Sequence, residues 1–184
     1  MKIVVFSDSH GDSETMCIAV GKEKQDLIIY LGDGIEDIEV LKQKYPGTKM
    51  ISVLGGVDSD REDEEWIKVV EMCGKRFIIT HGHTFIKYTF VTETERYEQT
   101  DEDRTRNRIE MLKILQDYDG DVLLHGHTHE PYIDSVFLSE RKCWIMNPGR
   151  IRRVDGAVDK ATYGILEFDD SGVFKCHLEE LELE

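Results

Sequence analysis

The chain has 184 residues, enough to bury one substantial core and too few for two comfortable ones, so residues 1–184 are expected to form a single domain. With 40% hydrophobic and 33% charged residues, the composition excludes a disordered or fibrous protein. A formal charge of −15 argues against long nucleic acid as a partner, since phosphate backbones are held by Lys and Arg.

A small anionic substrate stays compatible with that charge if bound cations concentrate positive charge in one place. The cysteines, Cys17, Cys73, Cys143 and Cys176, show no Cys-x-x-Cys spacing and read as reduced thiols, not as a zinc or redox pair. The first apolar run turns polar at Ser7, too early for a signal-peptide core. No apolar run approaches the roughly 18 residues of a membrane span. A cytoplasmic location without a membrane partner is expected, and a homo-oligomer is compatible with the sequence.

Residues 3–6 are continuously apolar and predict a strand buried on both faces, ending in Ser7-Asp8-Ser9-His10. A helix is expected over 13–24. Residues 27–31 predict a second buried strand, ending in Gly32-Asp33-Gly34, and 35–44 a helix stopped by Pro46-Gly47. A third strand over 50–54 runs into Gly55-Gly56-Val57-Asp58. Over 62–72, acidic residues at the front and the near-helical spacing of Trp66, Val69, Val70 and Cys73 favour a helix, with a strand over 66–72 as competitor.

Residues 77–80 predict a strand that delivers His81-Gly82-His83. The charged stretch 92–103 has no apolar face and reads as a long surface loop, with a substrate lid as the alternative. A helix follows over 104–118. The short apolar run 122–124 then stops at His125-Gly126-His127-Thr128-His129. Strands over 132–137 and 142–146 lead to the turn Asn147-Pro148-Gly149, and 163–168 with 173–178 predict a closing hairpin. Alternating strands and helices followed by hairpins predict a layered α/β sandwich.

Five predicted strands end in metal-competent residues: Asp8 and His10, Asp33, Asp58, His81, then His125 and His127. In α/β sheets the loops beyond the carboxyl ends of strands converge, and ligands bind there. One such Asp or His is ordinary turn chemistry; the whole set, each beside Gly or Ser, points to a metal centre. Mixed imidazole and carboxylate donors suit manganese, iron, zinc or nickel better than calcium or magnesium. The donors outnumber the needs of one tetrahedral ion, which suggests two ions about 3.5–4 Å apart.

Taken in order, Asp8-Ser9-His10, Gly32-Asp33, Gly55-Gly56-Val57-Asp58, His81-Gly82-His83, Gly126-His127-Thr128-His129 and Asn147-Pro148-Gly149 resemble the motifs of calcineurin-like metallophosphoesterases. The closest match is to the small, single-domain bacterial and archaeal phosphodiesterases. The resemblance runs from the first strand past residue 150. It implies a four-layer α/β/β/α sandwich and two divalent ions, manganese first, with iron, zinc or nickel as alternatives. It also implies hydrolysis of a small phosphodiester or related phosphoester by a metal-bound hydroxide.

Carried over by position, the resemblance implies Asp8, His10, Asp33 and His127 at the first metal. A bridging Asp33, with His81 and His125, would hold the second. Asp33 and His83 are the candidate catalytic residues; the sequence does not assign the proton donor to the leaving group, for which His83 and a metal-bound water are the alternatives. Asp58 and His129 are candidates for an additional ligand or a supporting role. Two departures stand out. Gly56 replaces the family's Asn, which removes a side-chain oxygen from the second metal and should weaken that site. Arg150 replaces the usual Ser; with Arg152 and Arg153 it forms a basic cluster whose guanidinium forks suit phosphate. The alternative is a single-metal or non-catalytic binding scaffold, as in the retromer subunit on the same fold. The imidazoles of His10, His81, His125 and His127 favour the enzyme.

Overall fold

A computed structural model of the chain describes residues 1–58, 65–91, 96–153, 160–169 and 174–181. The first half runs β1 (Lys2–Phe6), α1 (Ser13–Lys22), β2 (Leu27–Tyr30), α2 (Ile35–Lys44), β3 (Lys49–Ser52), β4 (Ile67–Met72) and β5 (Lys75–Thr80). There follow β6 (Thr89–Val91), β7 (Arg96–Glu98), α3 (Asp101–Asp117), β8 (Val122–Leu124), β9 (Tyr132–Leu138), β10 (Arg141–Asn147), β11 (Ala161–Phe168) and β12 (Phe174–Leu181).

Two five-stranded sheets result, ordered β12-β11-β1-β2-β3 and β4-β5-β8-β10-β9. Each has a parallel centre, β1-β2-β3 in one and β5-β8-β10 in the other, flanked by antiparallel strands. The alternation of side chains along β1 shows how the layers form. Val4 and Phe6 pack with Met16, Val20, Ile38 and Leu41 of α1 and α2. Ile3 and Val5 face the opposite way and pack with Phe77, Ile79, Val122 and Leu124 of the second sheet. On the far side of that sheet, Ile78, Leu123 and Ile145 pack with Met111 and Leu115 of α3. The order is therefore α/β/β/α, as the resemblance implies. Both central sheets are covered on two faces, which explains why their strands read as unbroken apolar runs.

Several local expectations change. The helix expected over 62–72 is the strand β4 in its described part. Its partner β5 follows through Cys73-Gly74, both at positive φ (51° and 72°), the geometry of a two-residue hairpin turn. Pairing with β5 overrode the near-helical spacing of Trp66, Val69, Val70 and Cys73. Of the loop expected over 92–103, residues 92–95 lie outside the described residues. The rest is β7 and the start of α3. The Thr100 hydroxyl accepts from the Asp103 N–H (3.1 Å) and the Asp103 carboxylate accepts from the Thr100 N–H (3.2 Å), a capping box that starts α3 before Arg104. Residues 53–54, expected in the third strand, lie beyond β3 as buried loop. The closing hairpin is present as β11 and β12, its connection 170–173 outside the described residues.

Candidate metal centre

Because β1, β2, β5 and β8 all run parallel within their sheets, their carboxyl ends deliver Asp8 and His10, Asp33, His81 and the 125–129 loop to one edge of the sandwich. Backbone hydrogen bonds lace these loops together. The Asp8 N–H donates to Gly32 O (3.0 Å), His10 N–H to Asp33 O (2.9 Å) and Gly126 N–H to His81 O (3.0 Å). The His127 N–H donates to Asp8 Oδ2 (3.1 Å), which ties the two sheets at the site itself. Gly126 must be glycine, since a Cβ there would stand 1.9 Å from Ser7 Oγ.

Two groups of donor atoms emerge: Asp8, His10 and His129, and Asp33, His81 and His127, each with its atoms within 4.8 Å of one another. Five of these six residues adopt positive φ: Asp8 (56°), His10 (46°), Asp33 (61°), His127 (70°) and His129 (58°). That conformation costs about 1–2 kcal/mol for a residue with a Cβ, and its concentration here marks a site whose side-chain directions matter more than backbone comfort.

The donor set suits cations. Asp8 Oδ1 and His81 Nε2 are buried and have no hydrogen-bond partner, although they stand 3.9 Å apart. His81 Nδ1 lies 2.9 Å from Leu31 O; a carbonyl can only accept, so Nδ1 carries the proton and Nε2 presents its lone pair. That lone pair faces Asp33 Oδ2 at 3.3 Å, an arrangement that needs a proton or a metal ion between the two. Burial alone would lower the His81 pKa, but Asp33 and Asp8 outweigh it and the pKa is raised. Burial would likewise raise the Asp8 and Asp33 pKa values. The neighbouring imidazoles, His129 and His81 for Asp8 and His81 for Asp33, hold both below the usual range. Burial pushes His127 down to about 4, leaving it neutral and able to ligate at neutral pH.

Three expected roles change with the geometry. The His125 ring is fully buried and stands in neither donor group: Nδ1 lies 3.0 Å from Gly126 O and Nε2 accepts from the Tyr132 hydroxyl at 2.5 Å. His127 takes the place expected for His125, beside Asp33 and His81. His129 takes the place expected for His127, its Nε2 3.2 Å from Asp8 Oδ1 and 3.4 Å from His10 Nε2. Along His-Gly-His-Thr-His it is the second and third imidazoles, not the first, that stand among the donor atoms.

Asp58 has no oxygen to spare. Its Oδ2 accepts from the Asp33 N–H (2.8 Å) and the Gly55 N–H (2.7 Å), and its Oδ1 from those of Gly34 (2.7 Å) and Ile35 (2.9 Å). It caps α2, whose own N-cap Gly34 has no side chain, and fixes the loop that carries Asp33. A sequence signal existed, since Gly34 before the helix left its first N–H groups in need of an acceptor.

His83 stands beside the second group, its ring centroid 5.5 Å from that of His81 and 6.3 Å from that of His127, and packs at a 55° tilt against Trp66 at 4.8 Å. Burial and then the charge of His81 lower its pKa, so it is neutral at neutral pH and better placed to accept a proton than to donate one. Arg150 is partly buried, with its carbonyl accepting from the Thr162 N–H (2.9 Å). The exposed Arg152 is the basic residue whose charge acts on His10 and Asp12. The Arg153 N–H donates to Asp12 Oδ2 (2.8 Å) and the Ile151 N–H to Ser7 O (2.9 Å), which hold this basic segment along the Asp8–His10 loop.

A separate cavity of about 280 Å³ lies between α3 and β9–β10, lined by Arg104, Arg108, Met111, Thr128 and Tyr132 among others and by none of the six donors. Arg104 pairs with Glu130 (2.8 Å) and Arg108 with Asp134 across it, so its charges are already matched.

An α/β/β/α sandwich with carboxylates and imidazoles gathered at its strand ends is the build of a metallophosphoesterase. The model of the calcineurin-like phosphoesterase superfamily domain matches residues 1–171, and the chain belongs to that superfamily. The probable metallophosphoesterase MG207 of Mycoplasma genitalium is 24% identical over 153 residues, 83% of this chain and 78% of that protein. Among solved structures, a Streptococcus pneumoniae protein described as a predicted phosphoesterase has a TM-score of 0.64 at 24% identity, covering 97% of this chain and 88% of its own. Vps29 of Entamoeba histolytica, solved in complex with Zn²⁺, has a TM-score of 0.61 at 17% identity, covering 98% and 99%. The fold is thus shared by phosphoesterases and by Vps29. No described helix is long and apolar enough to cross a membrane.

Proposed function

We propose that this protein is a metal-dependent phosphodiesterase acting on a small phosphoester. The observation that carries the reading is the gathering of two buried atoms, Asp8 Oδ1 and His81 Nε2, 3.9 Å apart, each beside a further donor atom: His129 Nε2 at 3.2 Å from the first and Asp33 Oδ2 at 3.3 Å from the second. Asp8, His10 and His129 would hold one divalent ion, and Asp33, His81 and His127 the other. Asp33 fits a bridging role, since its Oδ2 lies 3.3 Å from His81 Nε2 and 4.0 Å from His10 Nε2. Bound there, two divalent ions would supply a Lewis acid for the phosphoryl oxygens and an activated water at neutral pH.

The protein's own groups orient the donors and complete the charge. Leu31 O fixes the His81 tautomer, and the Asp8 carboxylate and the Tyr88 hydroxyl hold the His127 backbone from either side. Arg152 supplies positive charge beside His10, where the non-bridging oxygens of a phosphoester would be met, and Arg150 is a second candidate for that contact. Manganese is the first metal to test, with zinc, iron and nickel compatible with the same donors. A cytoplasmic setting and one domain over residues 1–184 accompany this reading.

The scaffold alternative draws on the likeness to Vps29 and on Gly56. The complete donor groups weigh against it, because six strained or buried residues serve no docking role. Elemental analysis and hydrolysis of bis(p-nitrophenyl) phosphate, with and without manganese, test the reading. About two metals per chain and manganese-dependent turnover are expected; no turnover with any divalent ion would leave the scaffold.

A further inference from the structure

Two large apolar side chains remain in water at the edge of the Asp33–His81–His127 group: Val57 is 70% exposed and Trp66 40%. Both are fixed to residues of that group or of the strand that leads to it. The Val57 N–H donates to Asp33 Oδ1 (3.0 Å), and the Thr80 hydroxyl, one residue before His81, donates to Trp66 O (3.0 Å). The indole packs at a tilt of 55° against His83, whose ring lies 5.5 Å from that of His81, and His83 Nδ1 is buried without a hydrogen-bond partner. The opposite flank, by His10, carries the charge of Arg152.

We infer that Trp66, backed by the tilted ring of His83, is a stacking platform for a planar ring on the substrate, making the substrate a nucleoside or aryl phosphoester and not a glycerol-type one. This rests on the phosphoesterase reading above and specifies the group attached to the phosphorus. An aromatic face one ring away from the metal donors is the reach of a base or aryl group ester-linked to a phosphate held there. An exposed indole held in place in the free protein loses little further freedom when a ring stacks on it.

The chain has two tryptophans, Trp66 and Trp144, so a Trp144→Phe background leaves Trp66 as the single indole emitter. In that background, with and without manganese, AMP and phenyl phosphate should quench the emission saturably, while glycerol 3-phosphate should not. By calorimetry, Trp66→Ala should weaken AMP about tenfold and leave glycerol 3-phosphate unchanged, and Trp66→Phe should restore most of the loss. Quenching by AMP alone would assign the platform to a nucleoside; equal quenching by phenyl phosphate would show that any ring suffices. Unchanged AMP affinity in Trp66→Ala, or no quenching by either ring, overturns the platform. The two readings fail separately. Ring-dependent quenching in a protein that hydrolyses no diester removes the phosphodiesterase and keeps the platform. Diester hydrolysis with the same KM for aryl and alkyl esters in Trp66→Ala and the parent removes the platform alone.

Discussion

Asp8 Oδ1 and His81 Nε2 face each other 3.9 Å apart from different sheets, both sealed from water and neither hydrogen-bonded. Burying such a cluster of carboxylate and imidazole atoms is costly unless a proton or a cation lies among them. Leu31 O removes the alternative of an Nε2 proton in the neutral ring, because it holds that proton on Nδ1. The fold therefore maintains a socket for positive charge, and metal affinity should depend on residues that shape the socket as well as on those that line it.

Asp33 is the first such residue to test. Asp33→Asn keeps a side chain that tolerates the φ of 61° at this position while removing the charge proposed to bridge the two donor groups. Metal content should fall to one ion or fewer, and turnover by about 100-fold or more. A variant with two ions and full activity would sink the bridging role.

Gly56 sets the second site. A Cβ there meets only ordinary contact with His83, at 3.4 Å, so Gly56→Asn should fold without strain. The added amide oxygen should tighten the weaker metal site by about tenfold, read by titration calorimetry. Unchanged stoichiometry and affinity would show that position 56 does not face the metals.

Asp58 should govern stability ahead of chemistry. Asp58→Ala leaves four backbone N–H groups, those of Asp33, Gly34, Ile35 and Gly55, without their acceptor. Urea unfolding of the metal-free protein should show a loss of about 3 kcal/mol. A loss of metal with stability intact would instead make Asp58 a ligand.

His125 predicts a pH dependence. Burial, with the charge of His81 adding to it, pushes its pKa from the usual 6.5 down to about 4. Between those values the unfolded chain binds a proton that the folded protein refuses, so stability falls as the pH is lowered. The contribution is full above 6.5 and gone below 4, about 3 kcal/mol across that window. Urea midpoints of the metal-free protein at pH 7 and pH 5 should differ in that sense, and His125→Gln should flatten the slope. Equal slopes in the two proteins would show that His125 titrates normally.

The layer order and the edge of the sandwich that carries the site were legible from the sequence. Runs such as 3–6, 27–31 and 77–80 are apolar throughout because both their faces are covered, and each ends in small residues and a donor because parallel strands open onto a shared edge. Local pattern could not distinguish β4 from a helix, because Val69 and Val70 satisfy both spacings and only pairing with β5 decides. The start of α3 was readable in Thr100 and Asp103, a signal masked by the charge around it. Along His125-Gly126-His127-Thr128-His129 the sequence shows three imidazoles and no directions. Side-chain direction follows backbone dihedrals: positive φ at His127 and His129 accompanies rings that stand among the donor groups, while the Tyr132 hydroxyl holds His125 in the interior. Asp58 was fixed in the same way, by the Gly34 N–H across the fold. Residue type and order determined which atoms can bind a metal; only the tertiary structure, by setting φ and the competing hydrogen bonds, decided which of them are brought together.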